Sequence, residues 1–169
     1  MKEFIREIPD FPQQGVLFRD ITPLLGNGPA YKQAIDELAV FAGELGAEII
    51  AGPEARGYVV GAPLAYALER GFVPVRKKGK LPGQTVRIEY QLEYGTDYLE
   101  IHADAIRPGQ KVVVADDLLA TGGTISATID LVRKLGGEVV GAAFFIELTH
   151  FQGRQRLPQG LPVLTLVQY

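Results

Sequence analysis

One run restricts the fold more than any other: Val112-Val-Val-Ala-Asp-Asp-Leu-Leu-Ala-Thr-Gly-Gly-Thr124. Val112, Val113 and Val114 are consecutive β-branched residues with no polar break, the pattern of a strand buried on both faces in a parallel sheet. A glycine turn, Ala120–Thr124, follows. Ile125, Ile129 and Val132 then recur at i, i+4 and i+7, the stripe of an amphipathic helix. Asp116 and Asp117 are expected at the strand's carboxyl end, where open α/β sheets bind their ligands. In Thr121-Gly-Gly-Thr124 the glycines let backbone N–H groups approach an anion, the threonines add hydroxyls, and the helix N-terminus adds partial positive charge. Two adjacent carboxylates repel and need something to offset them. The segment therefore offers a phosphate cradle beside a carboxylate pair suited to sugar hydroxyls or a hydrated metal. No Gly-Lys-Ser/Thr follows, so it is not a Walker A loop, and no GxGxxG fingerprint occurs in the chain.

The rest of the chain repeats this strand–helix rhythm. Pro29 suits a first helical turn, and Tyr31, Ile35, Leu38, Ala39, Ala42 and Leu45 mark one apolar face that ends at Gly46. A short strand is expected at 48–51, then a helix carrying Val60, Leu64, Ala67 and Leu68, with Pro63 bending it or sitting in its early turns. Phe72-Val-Pro-Val75 reads as the next strand. Residues 84–103 differ: Val86, Ile88 and Tyr90 alternate, as do Tyr98, Leu99 and Ile101, around Glu93-Tyr-Gly-Thr96, which predicts an antiparallel hairpin. Strands are expected at 111–115, near 138–146 and at 162–167, with helices at about 124–135 and around 150–157. The alternation predicts an α/β fold with a central, mostly parallel sheet flanked by helices on both faces.

With 169 residues, 47% of them hydrophobic and 22% charged, the chain suits one globular domain with a sizeable core. Cysteine is absent, so thiolate chemistry is excluded; two histidines cannot build a structural zinc site. Ser126 is the only serine, on a helix face, a poor start for a Ser-His-Asp hydrolase. A net charge of −3 argues against general nucleic-acid binding. Arg76, Lys77, Lys78 and Lys80 nevertheless crowd one segment that directly follows a strand, where an anionic substrate could be drawn. No apolar run is long enough to span a membrane and the first residues lack a signal-peptide core, so a cytoplasmic protein is expected.

The Val112–Thr124 run resembles the phosphoribosyl-diphosphate (PRPP) signature of the type I phosphoribosyltransferases. Four further stretches match the adenine-using branch of that family in order and spacing: Phe11–Pro23, Glu54-Ala-Arg-Gly57, Val75–Gly83 and Leu92-Glu-Tyr-Gly95. The resemblance implies Mg²⁺-dependent conversion of adenine and PRPP to AMP and pyrophosphate by a homodimer. It implies a single domain over 1–169, with a hood and base-binding segment at 1–25 and a flexible-loop insert at 80–103. By resemblance, Ala120, Thr121, Gly122, Gly123 and Thr124 hold the 5′-phosphate, while Asp116 and Asp117 grip the ribose hydroxyls. Glu54, Ala55 and Arg56 bind pyrophosphate with Arg76, Lys77 and Lys80, and a non-proline cis peptide joins Glu54 to Ala55. Phe18 stacks on the base, and the backbone of Leu17 and Arg19 reads the purine edge. Glu93 lies near purine N3 and N9, and Tyr94 gates a lid. Glu93, Arg56, Asp116 and Asp117 form the expected catalytic group. No protein side chain is expected to bind the metal as a dedicated ligand; Mg²⁺ comes with PRPP and water, near Asp116 and Asp117. Two alternatives stay open on the residues alone: a phosphoribosyltransferase for hypoxanthine, guanine or xanthine, and a PRPP-sensing regulator without catalysis.

Overall fold

The computed structural model describes residues 1–92 and 95–169. Strands β1 (Arg6–Pro9) and β2 (Leu17–Asp20) pair antiparallel in a small sheet of their own. A short helix α1 (Thr22–Gly26) leads to α2 (Gly28–Glu44), which Asn27 caps by accepting the Ala30 N–H at 3.0 Å. The main sheet is built from β3 (Ile49–Pro53), β4 (Gly71–Lys77), β5 (Thr85–Leu92), β6 (Gly95–His102), β7 (Lys111–Leu119), β8 (Glu138–Glu147) and β9 (Val163–Gln168). Helix α3 (Arg56–Ala67) joins β3 to β4, and α4 (Gly123–Lys134) joins β7 to β8.

The strand order is β5-β6-β4-β3-β7-β8-β9. From β4 to β9 all pairings are parallel; the β5–β6 hairpin is antiparallel and joins β4 antiparallel through β6, where Arg76 and Lys77 face Glu100 and Leu99. Alternate side chains feed two cores, one on each face. Val113 and Ala115 pack with α2 and α3, whereas Val112 and Val114 pack with α4. Among the described residues no helix is long and apolar enough to cross a membrane.

Chain direction reverses between β3 and β7, because α3 carries the chain to one side and α4 to the other. Such a reversal leaves a crevice at the carboxyl ends of the two strands. Here the crevice is built in: β3 and β7 pair only from Ile49–Val112 to Ala51–Val114 and then part, β3 following β4 and β7 following β8. Gly57, in the first turn of α3, fills the parting. A Cβ there would stand 2.8 Å from Pro53 Cδ and 3.1 Å from Asp116 Oδ1, so only glycine allows this approach.

Several expectations need correcting. The strand expected at 111–115 runs to Leu119, since β8 continues to pair with it after β3 has left; Asp116 and Asp117 therefore lie within a strand, beyond the point where β3 departs. Phe18 and Arg19 lie on β2, a strand the periodicity did not predict, because Arg6–Pro9 supplies a partner strand. Arg76 and Lys77 belong to β4 itself and do not follow it. Ala67 is exposed, and Gly61 and Ala65 take the buried face of α3 instead. The helix expected around 150–157 is two 3₁₀ turns, Thr149–Phe151 and Gly153–Arg156, broken at Gln152 with φ 54°. Pro63 lies in the middle of α3, where it cannot donate to the Val59 carbonyl. The Tyr31 hydroxyl, from α2, donates to that carbonyl instead.

Candidate active site

The loop 120–124 leaves β7 and turns at Gly122, whose φ of +82° admits glycine with least strain. Gly122 is also the N-cap of α4, and no side chain caps the first turn. The N–H groups at 123–125 therefore open onto a cavity of about 160 Å³ that the Asp116–Thr124 segment lines. The residues expected to hold a phosphate are thus gathered around one hollow.

Asp116 and Asp117 form one wall of it. The Asp117 N–H donates to Asp116 Oδ1 at 2.9 Å, which ties the two together. Burial pushes the Asp116 carboxyl well above its usual range, and the charge of Asp117 adds to the effect. Burial also raises Asp117, opposed by Arg56. Arg56 Nε stands 3.2 Å from Asp117 Oδ2, yet without hydrogen-bond alignment, so this buried oxygen has no hydrogen-bond donor. A buried carboxylate oxygen without a donor is costly unless a ligand supplies one.

Arg56 also reaches the second cavity. Its guanidinium lies 5.4 Å from the Phe18 ring, at the edge of a mostly apolar hollow of about 580 Å³ between β1, β2, α1 and the start of α3. Phe18 meets Phe11 edge to face at 5.1 Å, which holds the ring upright for a planar partner. Strand β2 has a neighbour on one side only, so alternate backbone groups remain open for pairing. Leu17 is exposed, and Arg19 is drawn away from the hollow, its side chain paired with Glu7 and stacked 3.6 Å from the Tyr169 ring.

The third part is the Glu54–Arg76 region. The Glu54–Ala55 peptide is cis, as the resemblance implied. Glu54 accepts the Lys77 N–H at 2.7 Å and two Arg76 bonds at 2.9 and 3.1 Å, while Arg76 Nη1 donates to the Lys80 carbonyl at 2.9 Å. Burial alone would raise Glu54, but the Lys77 N–H and Arg76 outweigh it and keep it ionised. Every Arg76 nitrogen thus has a protein partner, and the residue is placed to brace the loop more than to bind an anion directly. Lys77 Nζ lies 3.3 Å from Asp97. Glu93 and Tyr94 lie outside the described residues.

Two contributors have no local signature in the sequence. Glu100, 1% exposed, accepts from the backbone N–H groups of Gly79, Lys80 and Leu81 at 2.8, 3.1 and 3.2 Å, and so shapes the basic turn. Gly153 packs its backbone against Ala120 and Gly122. Both depend on partners distant in the chain; the only hint was an acid at a buried position between Leu99 and Ile101.

Comparison with known proteins agrees with this geometry. The phosphoribosyl transferase domain family matches residues 25–159. The adenine phosphoribosyltransferase of Brevibacillus brevis is 62% identical over 168 residues, covering 99% of this chain and 98% of its own. The crystal structure of adenine phosphoribosyltransferase from Thermoanaerobacter pseudethanolicus superposes with a TM-score of 0.95 at 54% identity, covering 99% of this chain and 97% of that one. The Saccharomyces cerevisiae enzyme, solved with adenine and an imino-altritol bisphosphate, gives 0.93 at 39% identity, with 98% and 96% covered. With a matching family model and near-complete coverage by these relatives, the chain belongs to the adenine phosphoribosyltransferase family.

Proposed function

We propose that this protein transfers 5-phosphoribose from PRPP to adenine, giving AMP and pyrophosphate, and so returns a free purine to the nucleotide pool. One observation carries the reading. An anion-binding loop and an apolar, aromatic-walled hollow meet at Arg56, with a carboxylate pair between them. A molecule filling both needs a phosphate at one end, a flat ring at the other, and a polar linker with hydroxyls in the middle.

The roles follow from that placement. Thr121–Thr124, with the Ala120 amide, hold the 5′-phosphate. Asp116 and Asp117 accept from the ribose hydroxyls, and the unmet Asp117 Oδ2 gives a reason for donors to be welcome there. The bond from C1 of the ribose to pyrophosphate breaks as the bond to purine N9 forms, and the N9 proton passes to the departing pyrophosphate or to solvent. Positive charge grows on the sugar ring meanwhile, and two fixed carboxylates beside it stabilise that charge without reorganisation. Ala55, Arg56, Lys77 and Lys80 receive the pyrophosphate, with Glu54 and Arg76 bracing the loop. Phe18 stacks on the base. The open backbone of Leu17 and Arg19 reads its edge: a carbonyl accepts from the exocyclic amine of adenine, but a 6-oxopurine would present a second acceptor.

The donor set suits Mg²⁺ brought by the substrate. Among the described residues no three acids or histidines converge as a protein-only cage, while Asp116 and Asp117 offer carboxylate oxygens beside the phosphate loop. When bound, the ion offsets charge on the departing pyrophosphate. By family resemblance Glu93 sits near N3 and N9, Tyr94 closes a lid, residues 1–25 form the hood, and the protein works as a cytoplasmic homodimer. The β5–β6 hairpin is anchored, paired to β4 and held to α4 by Lys134 Nζ on the Arg87 carbonyl at 3.1 Å.

The test is a base panel with PRPP and Mg²⁺. Adenine should turn over, and hypoxanthine, guanine and xanthine should be slower by roughly 10⁴-fold, as when buried acceptors face each other unpaired. Comparable turnover of a 6-oxopurine would sink the assignment of β2 as the reading edge.

A further inference from the structure

We infer that the Glu147–Arg154 ion pair positions the phosphate-binding loop by pressing Gly153 against it. The inference rests on the reading of residues 120–124 as the 5′-phosphate site. Glu147 ends β8, and Arg154 lies in the 3₁₀ turn Gly153–Arg156. The pair is bidentate, Nε to Oε1 at 2.7 Å and Nη2 to Oε2 at 2.8 Å. Thr165 Oγ1 and Gln168 Nε2, both on β9, add donors to Oε2 at 3.1 and 3.0 Å. Glu147 is buried, and its carboxylate is nonetheless fully satisfied. The Arg154 guanidinium holds its carboxyl below the usual carboxylate range, against burial, which alone would raise it.

What this clasp holds is the residue immediately before Arg154. Gly153 is buried, and a Cβ on it would stand 2.2 Å from the Ala120 carbonyl oxygen and 3.0 Å from Leu119 Cδ1. From the other side, a Cβ on Gly122 would stand 2.6 Å from the Gly153 carbonyl oxygen. Two backbones therefore touch with no side chain between them, along the wall of the loop that presents its amides to the phosphate cavity. The Leu148 N–H, donated to the Leu119 carbonyl at 2.9 Å, registers the start of this segment on the end of β7. A buried ion pair is weak evidence for stability, because desolvation offsets much of its attraction. Its directional fork does fix where the adjoining Gly153 backbone lies, and a displacement of about 1 Å at such a site can cost roughly 10²-fold.

The experiment compares AMP with adenosine, which lacks the phosphate, by calorimetry on the full chain. Arg154→Ala and Gly153→Ala should each weaken AMP by about tenfold or more and leave adenosine unchanged. The KM for PRPP should rise in parallel while that for adenine stays put. Arg154→Lys should fall between, because an ammonium keeps the charge but not the fork. Gln168→Ala removes one donor to Glu147 and a long bond to Thr165 while keeping the fork, so it provides a gentle variant if the others do not fold. A pair that merely stabilises would lower the melting temperature and leave the AMP-to-adenosine affinity ratio at its wild-type value in every folded variant; that result overturns the clasp. Wild-type protein that binds AMP no better than adenosine overturns the phosphate site itself, a distinct failure.

Discussion

At Asp116 and Asp117 the same burial that sharpens electrostatics also burdens the fold. Asp116 is pushed up first by burial and then by the neighbouring charge, and Asp117 by burial. A carboxyl whose pKa rises on folding holds its proton more tightly in the native chain than in the unfolded one. Stability then falls as pH climbs from the ordinary value of 3.8 and goes on falling until pH passes the raised native one. Asp116→Asn keeps an oxygen for the Asp117 N–H and removes that penalty. It should raise the melting temperature at pH 7 by about 3 °C or more, and the gain should vanish near pH 4. Equal melting of variant and wild type at pH 7 would show the pair to be relaxed. Asp117→Asn should lower kcat by about 10²-fold, the usual loss for a preorganised group facing charge in the transition state; steady-state turnover with saturating PRPP checks it, and wild-type kcat would remove Asp117 from the chemistry.

Among the elements, the basic turn after β4 shows how acids organise cations. Four basic residues at 76–80 would by themselves repel one another and stay solvated. Glu54 and Glu100 bind the segment from two sides, the first through Arg76 and the Lys77 N–H, the second through three consecutive amides. Glu100→Gln removes the charge that those amides face and leaves an NH₂ group among donors. The variant should lose roughly 2–3 kcal/mol in urea unfolding, as when a buried charged group loses its partner, and its KM for PRPP should rise several-fold with adenine KM unchanged. The charge-dependent part of that loss should fade in acid: the donors to Glu100 outweigh burial and lower its pKa, so its stabilisation holds above the ordinary value of 4.5 and disappears as pH falls through the native value below it. Little of this was legible beforehand. The strand-to-strand alternation around 84–103 announced a hairpin, but the amides that Glu100 meets lie some twenty positions earlier. Pro63 is similar: its place in a helix could be read, whereas the Tyr31 hydroxyl that answers it could not.

For the molecule as a whole, a net charge of −3 coexists with a cationic mouth. PRPP is strongly anionic and adenine is neutral, so only the first is steered. Raising ionic strength from about 0.1 to about 1 M shortens the screening length from roughly 10 to 3 Å. The KM for PRPP should climb with salt while that for adenine barely moves; parallel rises in both would place the cations away from the entry path. The sequence by itself determined the βα alternation, the doubly covered sheet, the glycine loop and the aspartates beside it, because strand burial, helical periodicity and turn chemistry are set by residues within a few positions of one another. Only the tertiary structure decided that β3 and β7 part after three paired residues, that β2 is a strand, that Arg76 turns to Glu54, and that Gly153 lies against Ala120. Those outcomes depend on which distant backbone arrives to pair or to fill space, and short-range patterns hold no record of it.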